Sequence, residues 1–188
     1  MNLDVAHLSL PMIGEIANGD RAVSRTDGEG RSLFGVIDGL GHGVEAAAAA
    51  QAAAQCLEAI SLDTPLQAIM QHVHDGLIGS RGAAATLCLV RAGIIEVCAV
   101  GNVEVRSSNV RIPLVFSPGI LGVRVVKLHA CRAALSSGAR VVLFSDGISS
   151  RVPVDDVRSL GPRPACDALM QKYRRKEDDA TVLVADAG

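Results

Sequence analysis

Four acidic stretches carry the chemistry open to this sequence. In "VIDGLGHGVEAAAAA" (Val36–Ala50), Asp38 stands at the mouth of a glycine-rich turn, between an apolar run and an alanine-rich stretch. Such turns, leading from a strand into a helix, cradle phosphate with backbone N–H groups. A bare carboxylate there would repel the anion. Either Asp38 caps a turn, or a cation stands between it and the phosphate. "NGD" (Asn18–Asp20) ends a turn, "LFSDGI" (Leu143–Ile148) sets Asp146 after an apolar run, and "KEDDATVLV" (Lys176–Val184) sets Asp178 and Asp179 before another.

Any one of these aspartates is compatible with ordinary turn chemistry, where Asp hydrogen-bonds its own backbone. The set asks for more, because Asp38 and Asp146 both follow hydrophobic runs. Strand ends converging on one edge would cluster hard oxygen donors, the preference of Mg²⁺ and Mn²⁺. Two such ions supply hydroxide near neutral pH and stabilise in-line displacement at phosphorus. No His or Cys arrangement competes for zinc: His72 and His74, two apart on an expected helix, point to different faces. "GHGVEA" (Gly41–Ala46) matches the G-x-G-x-x-A dinucleotide fingerprint, but Asp38 would crowd the pyrophosphate, and no acidic residue ends a second strand about 20 residues on. A haloacid-dehalogenase-like site would need D-x-D, and "IDGLG" lacks the second Asp.

The elements that must position these residues follow from apolar patterning. Strands are expected at Val5–Leu10, Arg21–Ser24, Leu33–Ile37, Ala84–Val90, Ile94–Val100, Val103–Ser107, Val123–His129, Ala139–Phe144 and Thr181–Ala185. Helices are expected at Val44–Ile60, Pro65–Ile78 and Pro164–Arg174, with Thr64 as an N-cap and Pro65 and Pro164 in first turns. "AAAAAQAAAQ" (Ala46–Gln55) reads as a helix whose small-residue face packs close to a sheet. Helices clustered between runs of strands favour an antiparallel α+β layered domain over strict βαβ alternation.

Composition sets the outer bounds. The chain has 188 residues, 49% of them hydrophobic and 20% charged, enough for one globular domain with a sizeable core. A net charge of −2 gives no bulk attraction for nucleic acid or an anionic membrane, and 2% aromatics leave no base-stacking platform. Five cysteines without a C-x-x-C pair predict reduced thiols and a cytoplasmic protein. No secretory signal pattern and no bilayer-spanning apolar run is present. "KYRRK" (Lys172–Lys176) complements a helix C-terminus, or docks a substrate beside Asp178.

"NGD", "VIDGLGHG", "FSDG" and "EDDATVLV", in this order and at these separations, resemble the metal-dependent protein phosphatases of the PPM family, in their bacterial SpoIIE-like branch. "GSRGAAATL" (Gly79–Leu87) and "CAVGNVEVR" (Cys98–Arg106) are similar to the small stressosome phosphatases within that branch. The resemblance runs from about Asn18 to Ala185. It implies a PPM-type four-layer sandwich, two mainly antiparallel sheets flanked by helices, as one domain over residues 1–188 with no fused sensor. It also implies two Mn²⁺ or Mg²⁺ ions, with Asp38 bridging both, the Gly39 carbonyl and Asp20 on one, and Asp146 and Asp178 on the other. Asp179 takes a position often held by Asn, outside the ligand set.

The implied reaction is hydrolysis of phosphoserine or phosphothreonine, with Asp38 holding the attacking hydroxide and no covalent enzyme intermediate. The implied substrates are phosphorylated STAS-domain proteins of a stressosome, met by a monomer in the cytoplasm, with no nucleic-acid or membrane partner. A free anti-anti-sigma factor and a catalytically inactive binding module are the alternatives. The phosphate-binding Arg of longer family members is absent. The frequent D-G-H-G is here D-G-L-G-H-G, so His42, the second expected catalytic residue, is displaced from the position proposed as a general acid. It either faces the site or starts the helix.

Overall fold

A computed structural model describes residues 2–188. Two antiparallel sheets form its centre. One has the order β1 (Leu3–Leu10), β11 (Ala180–Ala187), β10 (Arg140–Phe144), β6 (Glu104–Ser108). The other runs β2 (Asp20–Thr26), β3 (Ser32–Gly39), β4 (Ala83–Arg91), β5 (Ile94–Val100), β9 (Ala130–Ala134). A short hairpin, β7 (Gly119–Ile120) with β8 (Arg124–Val125), forms a separate two-stranded ladder whose Leu121 exchanges backbone hydrogen bonds with Ala83 at the start of β4. Helices α1 (Gly43–Glu58) and α2 (Leu66–Gly76) cover the five-stranded sheet, and α3 (Pro162–Tyr173) covers the four-stranded one. The expected four-layer α+β sandwich is the observed fold.

Side-chain alternation along the strands builds the layers. On β3, Leu33 and Ile37 pack beneath α1 and α2, while Phe34 and Val36 face the gap between sheets. On β10, Val141 and Leu143 face that gap, and Val142 and Phe144 meet α3. Helix α2 buries Leu66, Ile69, Met70 and Val73, a spacing that gathers one face of a helix. Helix α1 buries Ala46, Ala49, Ala50 and Ala53, so its backbone approaches β3 closely. A Cβ built on Gly39 would stand 2.2 Å from the Ala46 carbonyl oxygen, a separation only glycine permits.

Three sequence expectations need correction. Val123–His129 is not a strand: only Arg124–Val125 pairs, and the sheet strand is β9 at Ala130–Ala134. The valine-rich run misled because Val123 and Val126 are exposed, whereas the less apolar β9 turns Cys131 and Ala133 inward at alternate positions. Thr64 does not cap α2; Pro65 occupies the N-cap and no side chain caps that end. Helix α3 starts two residues before Pro164, with Gly161 at the N-cap and Pro162 opening the first turn. All five cysteines are free thiols. No helix among the described residues is long and apolar enough to cross a membrane.

Candidate metal centre

Strand register brings the first two acids together. Asp20 and Asp38 are direct partners across β2 and β3, so their side chains share one face. For Asp38 that is the face of Phe34 and Val36, opening into the gap between the sheets. Ser145 continues the inward positions of β10 and donates from its hydroxyl to Asp20, crossing from one sheet to the other. Asp146 follows at once, and Asp178 lies just before β11.

Asp38, Asp146 and Asp178 line an open pocket of about 490 Å³, together with Leu40, Gly41, His42, Ala84, Gly101, Asn102, Gly119, Ile120 and Glu177. Asp20 and Gly39 are buried and do not line it. Asp179 is buried as well, and it ties loops rather than facing the pocket. Its two carboxylate oxygens accept from the backbone N–H groups of Met12 (2.8 Å) and Gly19 (2.9 Å). The Gly39 N–H donates to the Gly19 carbonyl at 2.9 Å, closing the knot around "NGD".

His42 is the N-cap residue of α1, without a side-chain capping hydrogen bond, and it also forms part of the pocket wall. The structure adds residues that the motifs did not single out: Ser145, and Asn102, whose amide donates to Asp146 at 2.7 Å. Asn102 lies in "CAVGNVEVR", but nothing in that stretch signals a contact with a residue 44 positions away. The "KYRRK" cations serve structure in part. Lys172 pairs with Asp156 at 2.9 Å, and Arg174 donates to the Pro11 carbonyl.

Electrostatics sets this pocket apart. Among the described residues, no Lys, Arg or His pairs with Asp20, Asp38, Asp146, Asp178 or Asp179. Burial foremost, then the neighbouring charges of Asp20, Asp146, Asp178 and Asp179, push the Asp38 carboxyl up to about 8. Burial raises Asp20 to about 7, against the opposing hydrogen bonds of Ser145 and Thr181. Asp178 is raised too, by burial and by Asp146.

As they stand, no three His, Cys, Asp or Glu side chains among the described residues form a ready group around one ion. The chemistry of the donors nonetheless fits hard dications: buried Asp20 and half-buried Asp38, Asp146 and Asp178, with no Lys, Arg or His partner among the described residues. Asp20, Asp38, Asp146 and Asp178 could supply such donors, with a backbone carbonyl at Gly39.

A pH dependence follows. With folded values above the unfolded 3.8, Asp20 and Asp38 bind more protons in the folded state across the interval between. The contribution of these two carboxyls to the stability of the metal-free protein is therefore greatest below that interval and is lost as pH rises from about 4 to about 8. Thermal unfolding in chelator across this range should show the fall, and excess Mn²⁺ at the alkaline end should reverse it. A pH dependence identical to that of the Asp38→Asn variant over the same range would contradict this account of the site.

Two antiparallel sheets between helices, with a carboxylate pocket at one end of the gap, define a metal-dependent phosphatase of the PPM class. The chain belongs to the SpoIIE family: the family model described as "Stage II sporulation protein E (SpoIIE)" matches residues 28–188. Among solved structures, a chain from "The bacterial stressosome: a modular system that has been adapted to control secondary messenger signaling" is 34% identical, with a TM-score of 0.90, covering 98% of this chain and 100% of that one. RsbX in complex with magnesium is 20% identical, with a TM-score of 0.86 over 99% of this chain and 96% of its own. The catalytic domain of the serine/threonine protein phosphatase PstP with two manganese ions is 18% identical, with a TM-score of 0.77 over 98% and 97%. These last two share the fold. No curated protein matches the sequence.

Proposed function

We propose that this chain removes phosphate from phosphoserine or phosphothreonine in STAS-domain proteins of a stressosome, resetting a stress signal. The observation that carries the chemistry is the convergence of Asp20, Asp38, Asp146 and Asp178 on one end of the inter-sheet gap with no Lys, Arg or His partner among the described residues. Similarity to the stressosome-study chain, at 34% identity, supports the substrate class.

In this reading two Mn²⁺ or Mg²⁺ ions are held by Asp20, Asp38, the Gly39 carbonyl, Asp146 and Asp178. When bound, such ions lower the pKa of water and neutralise charge developing on the phosphoryl group. Ser145 orients Asp20, and Asn102 orients Asp146. Leu40 and Ile120 form an apolar part of the pocket wall. In the same reading His42, which lines the same wall, gives a proton to the departing serine oxygen.

Chelation should abolish release of phosphate from a phosphorylated STAS protein, and added Mn²⁺ should restore it. Full turnover after exhaustive removal of metal would end the mechanism. Calorimetry adds an independent reading, since an inactive binding module would bind the phosphoprotein without Mn²⁺ heat. For the substrate, a stressosome STAS phosphoprotein and a free phosphorylated anti-anti-sigma factor should be offered in one reaction and followed by phosphate-affinity gel. Faster release from the free factor would overturn the stressosome assignment and leave the chemistry standing.

A further inference from the structure

We propose that Glu15 is a positioning residue for His42, fixing the imidazole at the mouth of the acidic pocket for proton donation to the leaving serine. This inference rests on the phosphatase reading above. Glu15 sits in the loop between β1 and β2, and its Oε1 lies 3.3 Å from His42 Nδ1. The loop is not free to wander. Met12 N–H donates to Asp179, Ile13 N–H to the Lys176 carbonyl at 3.3 Å, and Glu15 N–H to the Met12 carbonyl at 3.0 Å. The carboxylate that secures "NGD" thus also secures the segment carrying Glu15.

His42 belongs to the pocket wall, and its side chain is 60% exposed, so without a partner the ring would sample several rotamers. The other charged groups around it are Asp38, Asp146, Glu177 and Asp178 across the pocket, and Glu45 in the first turn of α1, itself paired with Arg81. Glu15 is the acid that meets its Nδ1. An imidazole held at Nδ1 by a carboxylate keeps Nε2 on the opposite side of the ring, available as a donor when protonated.

The step balances. The oxygen of the attacking water forms a bond to phosphorus, and the bond from phosphorus to serine Oγ breaks. Its electron pair stays on Oγ, which takes the proton from His42 Nε2. The proton lost by the water passes to solvent, and solvent reprotonates the ring. A serine leaving group needs that proton in the transition state; a nitrophenolate leaves without it.

The test compares a phosphoserine substrate with p-nitrophenyl phosphate on the intact Mn²⁺-loaded chain. His42→Ala should lose about 10²-fold or more in kcat on phosphoserine, and Glu15→Ala on the order of tenfold, with much smaller losses on the aryl phosphate. Glu15→Gln, which keeps an oxygen acceptor, should recover most of the phosphoserine rate. In the double variant the Glu15→Ala loss should vanish, because no ring remains to be positioned. A readout without turnover is the ¹⁵N spectrum of the His42 ring in metal-free protein at alkaline pH. The Nδ1–H tautomer should dominate in the wild type and give way in Glu15→Ala. Equal losses on both substrates, additive losses in the double variant, or an unchanged tautomer balance would each overturn the assignment. Absence of wild-type turnover on either substrate would instead overturn the phosphatase reading beneath it.

Discussion

Asp38→Asn is expected to reduce turnover of a phosphoprotein by more than about 100-fold, the upper end of what loss of an outer-shell partner alone costs. A neutral amide binds a hard dication poorly, and Asp38 is the pocket acid that shares its face with buried Asp20. Asp146→Asn should behave alike. Asp38→Asn should also stabilise the metal-free protein near neutral pH, since it removes a carboxyl whose ionisation is opposed by burial and by Asp20, Asp146 and Asp178. Steady-state kinetics with Mn²⁺ and thermal unfolding in chelator read the two effects separately, so loss of activity is not confused with loss of fold. Asp179→Asn makes the contrast. It should leave far more activity, but one of the Met12 and Gly19 N–H groups would lose its acceptor, at a cost of about 1–3 kcal/mol. Equal kinetic damage from Asp38→Asn and Asp179→Asn would remove the distinction drawn between holding ions and holding loops.

The second large effect is on stability. A Cβ at Gly147 would lie 1.9 Å from the Asp179 carbonyl oxygen, with the Asp179 carbon and Ala180 Cα close behind. All three obstacles are backbone atoms. They are pinned because Ser145 N–H donates to the Thr181 carbonyl and Thr181 N–H to the Ser145 hydroxyl, while Arg175 N–H donates to the Gly147 carbonyl. Gly147→Ala should therefore cost at least about 3 kcal/mol, the upper end of ordinary overpacking. Gly28→Ala is the control, since nothing lies within 4 Å of its added Cβ. Urea midpoints of the two variants settle the matter: if they coincide, the close approach of the "SDG" turn to the final acidic loop is wrong.

Much of this was legible before any coordinates. Long apolar strands such as β3 and β4 announce themselves because both faces are covered, and α2 because its apolar spacing leaves one continuous stripe. Each acid of the site sits beside a glycine or at a strand end, and the structure supplies the reason: Gly19, Gly39 and Gly147 each stand where a Cβ would strike a neighbouring loop or helix. That pattern was a packing signal as well as a turn signal. What stayed hidden is contact between distant segments. Ser145 meets Asp20 across 125 positions, and Asn102 and Glu15 meet their partners with no local mark in the sequence. Strand β9 was missed for the opposite reason, because the valines of a neighbouring exposed stretch outweighed its alternating small residues.

The pairing of β1 with β11, from Leu3↔Ala187 to Leu10↔Ala180, has a consequence for synthesis. The carboxylates that must meet come from opposite reaches of the chain: Asp20 follows β1, whereas Asp178 precedes β11. Asp179 then fastens the early loop through Met12 and Gly19. A ribosome that has delivered β2 to β10 has therefore made most of the strands and most of the pocket wall, but not Glu177 or Asp178. The pocket is complete only once β11 emerges and slots between β1 and β10.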